Sequence, residues 1–230
     1  MTDATTPNHV GYILDGNRRW ARQHGLPVYE GHLAGYNSLK DVIDATAEAG
    51  VKYISFYTFS TKNWDRAEDE VRGIMSLIRR LFKTDIKKLV QDDYRVVVLG
   101  SREGLPNDLM KMIDKAEEAS KDGSRAILAV CFNYGGQDEI VRAVQRLVAS
   151  GVAADDITIE SFTEVLDHPE VPACDLIVRT SGEQRLSDYM LWRSAYSEFL
   201  FLDKFWPEMT KEDVAAILSE YKKRQRRFGG

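Results

Sequence analysis

Six short apolar runs recur along this 230-residue chain and constrain its fold more than any other feature. They are rich in β-branched and aromatic residues and lie at residues 10–14, 53–59, 96–99, 127–132, 176–178 and 199–202. Most of them are continuously apolar, which is typical of strands that are buried on both faces. The sequence therefore predicts a β-sheet whose two faces are both covered.

Segments with helical spacing separate these runs, at residues 33–49, 68–90, 105–121, 138–149 and 211–227. Strands that alternate with helices pair in parallel, because each helix carries the chain back across the sheet. We therefore predict an α/β fold with a mostly parallel sheet flanked by helices. No linker or internal repeat divides the chain, so we expect one domain over residues 1–230, with residues 1–8 flexible.

Composition excludes several classes of protein. The net charge of −5 argues against a general nucleic-acid binder. Cys131 and Cys174 lie in apolar runs, and we interpret them as buried thiols in a reducing compartment. No stretch is long and apolar enough to span a bilayer, and we expect a cytoplasmic protein. Transient contact with a membrane surface stays open.

Polar clusters follow four of the predicted strands. They are Asp15-Gly16-Asn17, residues 60–66, residues 133–136 and residues 179–187. In open α/β sheets the ligand crevice lies beyond the carboxyl ends of the strands. The four clusters are therefore expected to meet at one edge of the sheet.

The first cluster continues into Arg18, Arg19 and Trp20 at a helix start. An isolated Asp15 would more often be a turn or helix-cap residue. Two arginines in a first helical turn oppose the helix dipole, however, which indicates a bound anion. A carboxylate, a glycine and arginines at a helix start together suit a metal and a phosphate.

The remaining candidates are weaker when each is taken alone. His32 follows Gly31 at a second predicted helix start and could join the anion pocket. Ser60-x-x-Asn63 lacks the Glu or Gln of a capping box, so we do not expect one there. Trp64 suits a buried core position equally well.

A second anion site is predicted in the loop after the fifth strand, where Arg179, Arg185 and Ser187 lie close in sequence; a solvated loop is the alternative. Glu198 interrupts an apolar run, which is costly unless the carboxylate is paired or binds a metal. P-loop, GxGxxG and GxSxG motifs are absent, and the four histidines lack zinc-ligand spacing.

At these residues the chain resembles the cis-prenyltransferases, the family of undecaprenyl diphosphate synthase. The matching segments are HVGYILDGNRRWA, EGHLAG, FYTFSTKNWDR, FNYGGQDEIV, DLIVRTSGEQRLSDYMLW, AYSEFLFLDKFWP and RRFGG, in that order. The resemblance covers nearly the whole chain, and the first and fifth segments are highly specific.

The resemblance implies a six-stranded sheet, a homodimer, a requirement for Mg²⁺ and a hydrophobic product tunnel between sheet and helices. The implied reaction is repeated condensation of isopentenyl diphosphate onto an allylic diphosphate, farnesyl or geranylgeranyl diphosphate. The product would be a medium-chain Z-polyprenyl diphosphate such as undecaprenyl diphosphate, for lipid-carrier synthesis.

Carried over residue by residue, the resemblance implies catalytic roles for Asp15 and Asn63, and a magnesium site at Asp15 and Glu198. It implies that Arg227 reaches the partner subunit's site. The implied substrate-binding residues are Gly16, Asn17, Arg18, Arg19, Trp20, His32, Ser60, Trp64, Arg66, Arg179, Arg185, Ser187 and Arg227.

The chain departs from many relatives at four positions. Val28 replaces an arginine and Arg18 replaces a glycine, and we hypothesise that Arg18 supplies part of the missing charge. Ala67 replaces a proline. Thr58 shares a strand face with Ser60 and is expected to border the tunnel.

Two alternatives stay open. One is a short-chain or irregular prenyl diphosphate synthase. The other is a non-catalytic partner subunit, although such subunits usually lose the carboxylate and arginines that Asp15 and Arg19 represent here.

Overall fold

The computed structural model describes residues 6–224. Six strands form one sheet: β1 (His9–Ile13), β2 (Tyr53–Ser60), β3 (Tyr94–Leu99), β4 (Ala126–Tyr134), β5 (Leu176–Arg179) and β6 (Glu198–Phe201). Their order across the sheet is β3-β4-β2-β1-β5-β6, and every neighbouring pair is parallel. The predicted sheet is confirmed, and it is entirely rather than mostly parallel.

The helices are α1 (Asn17–Gln23), α2 (Val28–Glu48), α3 (Glu68–Arg80), α4 (Ile86–Gln91), α5 (Asn107–Ser120), α6 (Gly136–Ser150), α7 (Ile159–Thr163) and α8 (Lys211–Lys223). A π-helical turn over Leu81–Asp85 joins α3 to α4, so one long helix covers the predicted 68–90 segment. The short α7 was not predicted. The last residues of the predicted 211–227 helix lie outside the described range.

Helix α2 begins five residues earlier than predicted, at Val28 rather than at residue 33. Gly31 and Gly35 lie inside this helix and do not end it. Their role is to let α1 approach closely. A Cβ on Gly31 would come within 2.1 Å of the Asn17 carbonyl oxygen. His32 consequently lies inside α2 and not at its start.

The larger core lies on one face of the sheet. Alternate residues of the central strands, among them Val10, Tyr12, Ile54 and Phe56, pack against α2, α3, α5 and α8. The opposite face is covered chiefly by the segment that precedes β5 and by Tyr189 and Met190, while α6 and α7 form a small separate cluster.

Both cysteines are buried free thiols, and burial raises the pKa of each. Over residues 6–224 no helix is long and apolar enough to cross a membrane.

Candidate active site

The carboxyl end of β1 lies at the centre of the site. Ile13 is in register with Tyr57 of β2 on one side and with Arg179 of β5 on the other. The polar residues that follow β1, β2 and β5 therefore meet at one edge of the sheet, as the sequence predicts.

Asp15 is held by arginines from two different elements. Its Oδ2 accepts a hydrogen bond from Arg179 Nη2 at 2.8 Å, and its Oδ1 lies 3.3 Å from Arg19 Nη2. Oδ1 also accepts from the Gly16 N–H at 2.7 Å. The N-cap of α1 is Gly16, so Asp15 is not the helix-cap residue of the alternative interpretation.

Gly16 is required here for two reasons. Its φ of +106° is strained for residues with a side chain. A Cβ would also come within 2.8 Å of Phe205 Cδ1 and 3.0 Å of Ser181 Oγ. The glycine therefore lets α1 begin directly beside the Asp15 carboxylate.

Asn17 is held between the two helices. Its Oδ1 would lie 2.3 Å from a Cβ on Gly35 of α2, and that oxygen is buried without a hydrogen-bond partner. The side-chain amide lies 3.5 Å from the Leu14 carbonyl. An unsatisfied buried polar atom costs free energy, which is tolerated chiefly at functional sites.

Arg179 organises the loop after β5. Its side chain is only 5% exposed, and Nη1 donates to Ser187 Oγ at 2.7 Å. Its Nε is buried without a partner. Ser181 and Ser187 have φ values of +83° and +51°, so the loop holds strained backbone of the kind that clusters at active sites.

One carboxylate joins the two predicted anion sites. Glu183 Oε1 accepts from Arg19 Nη1 at 3.0 Å, and its Oε2 accepts from Arg185 Nη1 at 2.5 Å. No role was predicted for Glu183 from the sequence, although its position inside the arginine-rich loop was a usable signal.

A second missed residue is Glu70, in the first turn of α3. Its side chain is 7% exposed and accepts from Arg66 Nη1 at 2.8 Å, with His32 Nε2 at 3.1 Å and Arg18 Nε at 3.7 Å. Burial lowers the pKa of His32 against the opposing effect of Glu70. Glu70 thus gathers three predicted phosphate ligands, of which only Arg66, four residues earlier, is near it in sequence.

Asn63 caps the turn that follows β2. Its Oδ1 accepts from the Ser60 N–H at 3.0 Å, which is the interaction that a Glu or Gln makes in a capping box. Our prediction that Asn63 does not act in this way was wrong, because asparagine reaches the same donor across this tight 3₁₀ turn over Thr61–Asp65.

Trp20 and Trp64, the two tryptophans predicted to bind substrate, lie beside the site and not in its clefts. Trp64 is 40% exposed, so the core alternative for it is wrong, and its Nε1 donates to Asn133 Oδ1 at 2.9 Å. The Trp20 ring lies against His24, with ring centroids 4.3 Å apart. Neither indole lines the clefts that contain Asp15.

Two adjoining clefts meet at Asp15. The first, of about 370 Å³, has five arginines and two carboxylates in its wall: Arg18, Arg19, Arg22, Arg66 and Arg185 with Asp15 and Glu183. The second, of about 320 Å³, is lined by Arg179, Ser187, Ser60, Asn63 and Thr58 and shares Asp15, Asn17, Arg66 and Arg185 with the first. A strongly cationic cleft in a chain of net charge −5 indicates an anionic ligand.

An apolar cavity opens beside the second cleft. It has a volume of about 60 Å³ and lies between the sheet and helices α2 and α3, lined by Leu39, Leu77, Ile78, Leu81 and Trp206. Thr58 borders both the cleft and this cavity. Register shifts between Tyr57 and Ser60 interrupt the strand alternation on which its predicted position was based. The cavity is too small for a long prenyl chain, so the product tunnel stays a prediction.

Glu198 does not meet Asp15 within one chain, so the predicted metal pair is not formed inside the described subunit and stays a prediction. Glu198 is in register with Leu176, and Leu176 is in register with Val10 at the amino end of β1. Val10 lies three residues, or about 10 Å of strand, before the end of β1 at Ile13, and Asp15 lies beyond that end. Glu198 Oε2 instead accepts from Arg224 Nη1 at 3.0 Å. Arg227 lies outside the described residues.

Asp15 suits a magnesium ion that arrives with a substrate. Among residues 6–224 no three His, Cys, Asp or Glu side chains form a metal cage. Mg²⁺ is often held by one or two carboxylates together with substrate phosphates and waters. Asp15 is 27% exposed at the junction of two cationic clefts, which fits that mode of binding.

Known proteins resemble the chain over almost its full length. The profile of a family described as putative undecaprenyl diphosphate synthase matches residues 13–229. Isoprenyl transferase 2 of Bradyrhizobium diazoefficiens is 42% identical over 97% of this chain and 90% of that protein. Isoprenyl transferase of Thermotoga maritima is 42% identical over 97% of both chains.

Two solved structures have the same fold. Lavandulyl diphosphate synthase from Lavandula x intermedia, in complex with dimethylallyl diphosphate, has a TM-score of 0.94 and 33% identity over 99% of this chain and all of that one. A probable undecaprenyl diphosphate synthase from Campylobacter jejuni has a TM-score of 0.83 and 27% identity over 97% of this chain and 99% of that one. The chain therefore belongs to the undecaprenyl diphosphate synthase family of prenyltransferases.

Proposed function

We propose that this prenyltransferase condenses isopentenyl diphosphate with an allylic diphosphate, farnesyl or geranylgeranyl diphosphate, to give a medium-chain Z-polyprenyl diphosphate for lipid-carrier synthesis. One observation carries the proposal: two arginine-lined clefts meet at the Asp15 carboxylate, beside an apolar cavity. Two diphosphates and one prenyl chain need that combination.

The first cleft would hold the allylic diphosphate. The Gly16 backbone opens the start of α1, where Arg18 and Arg19 present guanidinium groups on the first helical turn. Arg66 lines both clefts. His32 is linked to Arg66 because both side chains contact the Glu70 carboxylate. As the allylic C–O bond breaks, the leaving diphosphate gains charge, and these donors stabilise it more in the transition state than in the ground state.

The second cleft would hold isopentenyl diphosphate on Arg179, Arg185 and Ser187. The alkene would then lie beside the allylic cation, and proximity replaces an encounter in solution. Asn63 lines this cleft. By resemblance, its side chain would lie near the leaving group or the transferred proton. We assign the tail residue Arg227 to the partner's site, by resemblance.

Asp15 would hold Mg²⁺ together with the diphosphates. When bound, the ion would supply positive charge that favours departure of the diphosphate. Asp15 would have to give up part of its pairing with Arg19 or Arg179, whose guanidinium groups could then turn to phosphate oxygens. By resemblance we also propose that the protein acts as a cytoplasmic homodimer. Because Glu198 lies far from Asp15 within one chain, it would contribute to the metal site only from the partner subunit.

Two neighbouring cavities with mainly apolar surface support a path for the growing chain. The cavity beside Thr58 and a second one of about 40 Å³ share the side chains of Tyr36, Leu39 and Leu81. Movement of those side chains would join the cavities into a channel between α2 and the π-helical turn.

A second candidate is a short-chain or irregular synthase. The small volume of the apolar cavity, about 60 Å³, favours it, as does the TM-score of 0.94 to lavandulyl diphosphate synthase. A short-chain synthase differs from the first candidate in how far the cavity opens, and an irregular synthase differs also in which carbon atoms it joins.

Product size tests both candidates. The protein would be incubated with Mg²⁺, radiolabelled isopentenyl diphosphate and geranyl, farnesyl or geranylgeranyl diphosphate, and the extracted products sized. We expect a ladder that ends at about eleven isoprene units, as the family resemblance implies. Products that stop at C15 or C20 would establish the short-chain candidate, and no incorporation with any primer would overturn the enzyme proposal.

A further inference from the structure

Glu183 lies where a phosphate would be expected. Its two carboxylate oxygens bind Arg19 of α1 and Arg185 of the loop after β5, at 3.0 and 2.5 Å. Those arginines are the ones assigned to the two different diphosphates. The Glu183 carboxylate therefore links the two anion sites. It accepts hydrogen bonds from the same guanidinium groups that the substrates would use.

The pairing is accessible and exchangeable. The side chains of Arg19, Arg185 and Glu183 are 41%, 59% and 29% exposed. Over residues 6–224, Glu183 is the single ion-pair partner of Arg185. Exposed pairs of this kind are weak, so a diphosphate with more charge and more acceptor oxygens can displace the carboxylate.

Glu183 is charged when it occupies this position. The hydrogen bond from Arg185 lowers the pKa of the Glu183 carboxyl group below its usual value. A carboxylate and a phosphate both match the planar fork of a guanidinium group. The two anions therefore compete for the same N–H groups rather than for neighbouring ones.

We propose that Glu183 is an internal competitor for diphosphate, which holds Arg19 and Arg185 in the free protein, yields them to substrates and returns as inorganic diphosphate leaves. The inference rests on the proposed function only in taking diphosphates as the ligands. Glu183 is then a positioning residue that acts through two arginines, and it favours release of the product diphosphate.

A coupling between the two sites follows. Since one carboxylate holds an arginine from each site, a diphosphate that displaces it from Arg19 also loosens its hold on Arg185. The second ligand then has less competition to overcome, which is positive coupling between the sites. The coupling vanishes when the carboxylate is removed.

The opposing view is that Glu183 merely orients the two arginines for their ligands. The two views predict changes of opposite sign. If Glu183 competes, its neutral isostere binds diphosphate more tightly. If it orients, the isostere binds more weakly.

The test uses the full chain with Glu183→Gln and, as a matched control, Glu118→Gln, which removes one charge from an exposed pair on α5. Titration calorimetry with Mg²⁺ and inorganic diphosphate measures the dissociation constant. We expect Glu183→Gln to bind about fivefold more tightly than the wild type. Glu118→Gln should match the wild type, and Glu183→Asp should lie between the two.

A second measurement tests the coupling. The dissociation constant of isopentenyl diphosphate would be measured with and without saturating farnesyl thiodiphosphate, an unreactive allylic analogue. We expect the analogue to tighten binding several-fold in the wild type and to have no effect in Glu183→Gln. Equal or weaker diphosphate binding by Glu183→Gln, with an unchanged melting temperature, would overturn the inference.

Failure of the internal-competitor proposal for Glu183 is distinguishable from failure of the proposed function. Active wild type with unaltered diphosphate binding in Glu183→Gln defeats the internal competitor alone. Tighter diphosphate binding by Glu183→Gln in a protein that incorporates no isopentenyl diphosphate defeats the proposed activity and leaves the internal competitor standing.

Discussion

Two arginine–carboxylate pairs flank the loop between β5 and β6, and their surroundings differ sharply. Arg179 pairs with Asp15 at 2.8 Å where Asp15 is 27% exposed. Arg193 pairs with Glu139 at 2.6 Å, and these side chains are 3% and 1% exposed. A guanidinium group and a carboxylate therefore pair beside an open cleft at one end of the loop and inside an enclosed core at the other.

The buried pair is fully satisfied by protein groups. Glu139 also accepts from Tyr134 and from the Asp167 N–H, and Arg193 donates to the carbonyls of Val171 and Asp167. At the cleft, by contrast, Arg179 keeps an unpaired Nε. A satisfied pair fixes structure, whereas a pair with spare donors at a cationic cleft can exchange its partner for a ligand.

The largest effect is expected from breaking the buried pair. Arg193→Met leaves the Glu139 carboxylate uncompensated in the core, which costs about 3–5 kcal/mol. Urea unfolding at pH 7 measures the loss. The double variant Arg193→Met/Glu139→Leu should recover much of it, and a loss below 1 kcal/mol in the single variant would show that the two pairs do not differ as described.

The opposite pattern is expected at the cleft. Asp15→Asn removes the carboxylate that would bind Mg²⁺, and we expect kcat/KM to fall by about 10²–10³-fold while stability barely changes. Steady-state incorporation of isopentenyl diphosphate measures the first and urea unfolding the second. The exposed Asp108→Asn serves as control, and activity within tenfold of wild type in Asp15→Asn would contradict the role of Asp15.

A buried but uncharged network extends the comparison. His9 Nδ1 lies 2.9 Å from the Pro172 carbonyl oxygen, and its Nε2 lies 2.8 Å from Ser55 Oγ, which in turn lies 2.7 Å from the Tyr189 hydroxyl. Burial lowers the pKa of His9 from 6.5 to about 4. The unfolded chain therefore binds more protons between pH 6.5 and 4, so stability falls as the pH is lowered through that window.

The loss attributable to His9 is about 3 kcal/mol at the acid end of that window. Urea unfolding at several pH values gives the free energy of unfolding as a function of pH. The contribution of His9 is the difference between the slopes of that function in the wild type and in His9→Gln. His24→Gln, at an exposed position, should keep the wild-type slope. Equal slopes in the wild type and His9→Gln would show that His9 does not titrate as described.

The smallest effect is expected at Arg18. Its Nε lies 3.7 Å from Glu70 Oε2, and its side chain lines the first cleft. Arg18→Gly and Arg18→Gln should both raise KM for the allylic diphosphate about tenfold, which a single charge-assisted contact allows. The glutamine variant separates charge from helix propensity, and an unchanged KM in it would end the hypothesis that Arg18 replaces a missing arginine.

Much of the fold was predictable because its signals are local. Continuous apolar runs indicated the six strands, and helical spacing indicated the long helices between them. The misplaced start of α2 shows the limit of local signals. Gly31 and Gly35 resemble helix breakers in sequence, but here they admit α1 and the Asn17 side chain.

The sequence predicted which groups of polar residues form the candidate site. It did not predict which side chains within the site form ion pairs. Asp15, Arg179 and Ser187 meet because parallel strands end at one edge, which sequence alone implies. Glu70 and Glu183 each have one arginine partner nearby in sequence, but the partners that make them links between elements are distant. Glu183 and Arg19 are 164 residues apart, and Glu70 and His32 are 38 residues apart. The distance of Glu198 from Asp15 within one chain was not predictable, because the position of Glu198 along β6 depends on strand register.

The sequence by itself determined the parallel α/β architecture, the edge of the sheet that bears the site and the residues that could bind diphosphate. Only the tertiary structure decided which carboxylates hold those arginines, and at which end of the sheet Glu198 lies. The physical reason is that strand and helix periodicity acts over a few residues, whereas ion pairs depend on distances that only the packed chain brings to about 3 Å.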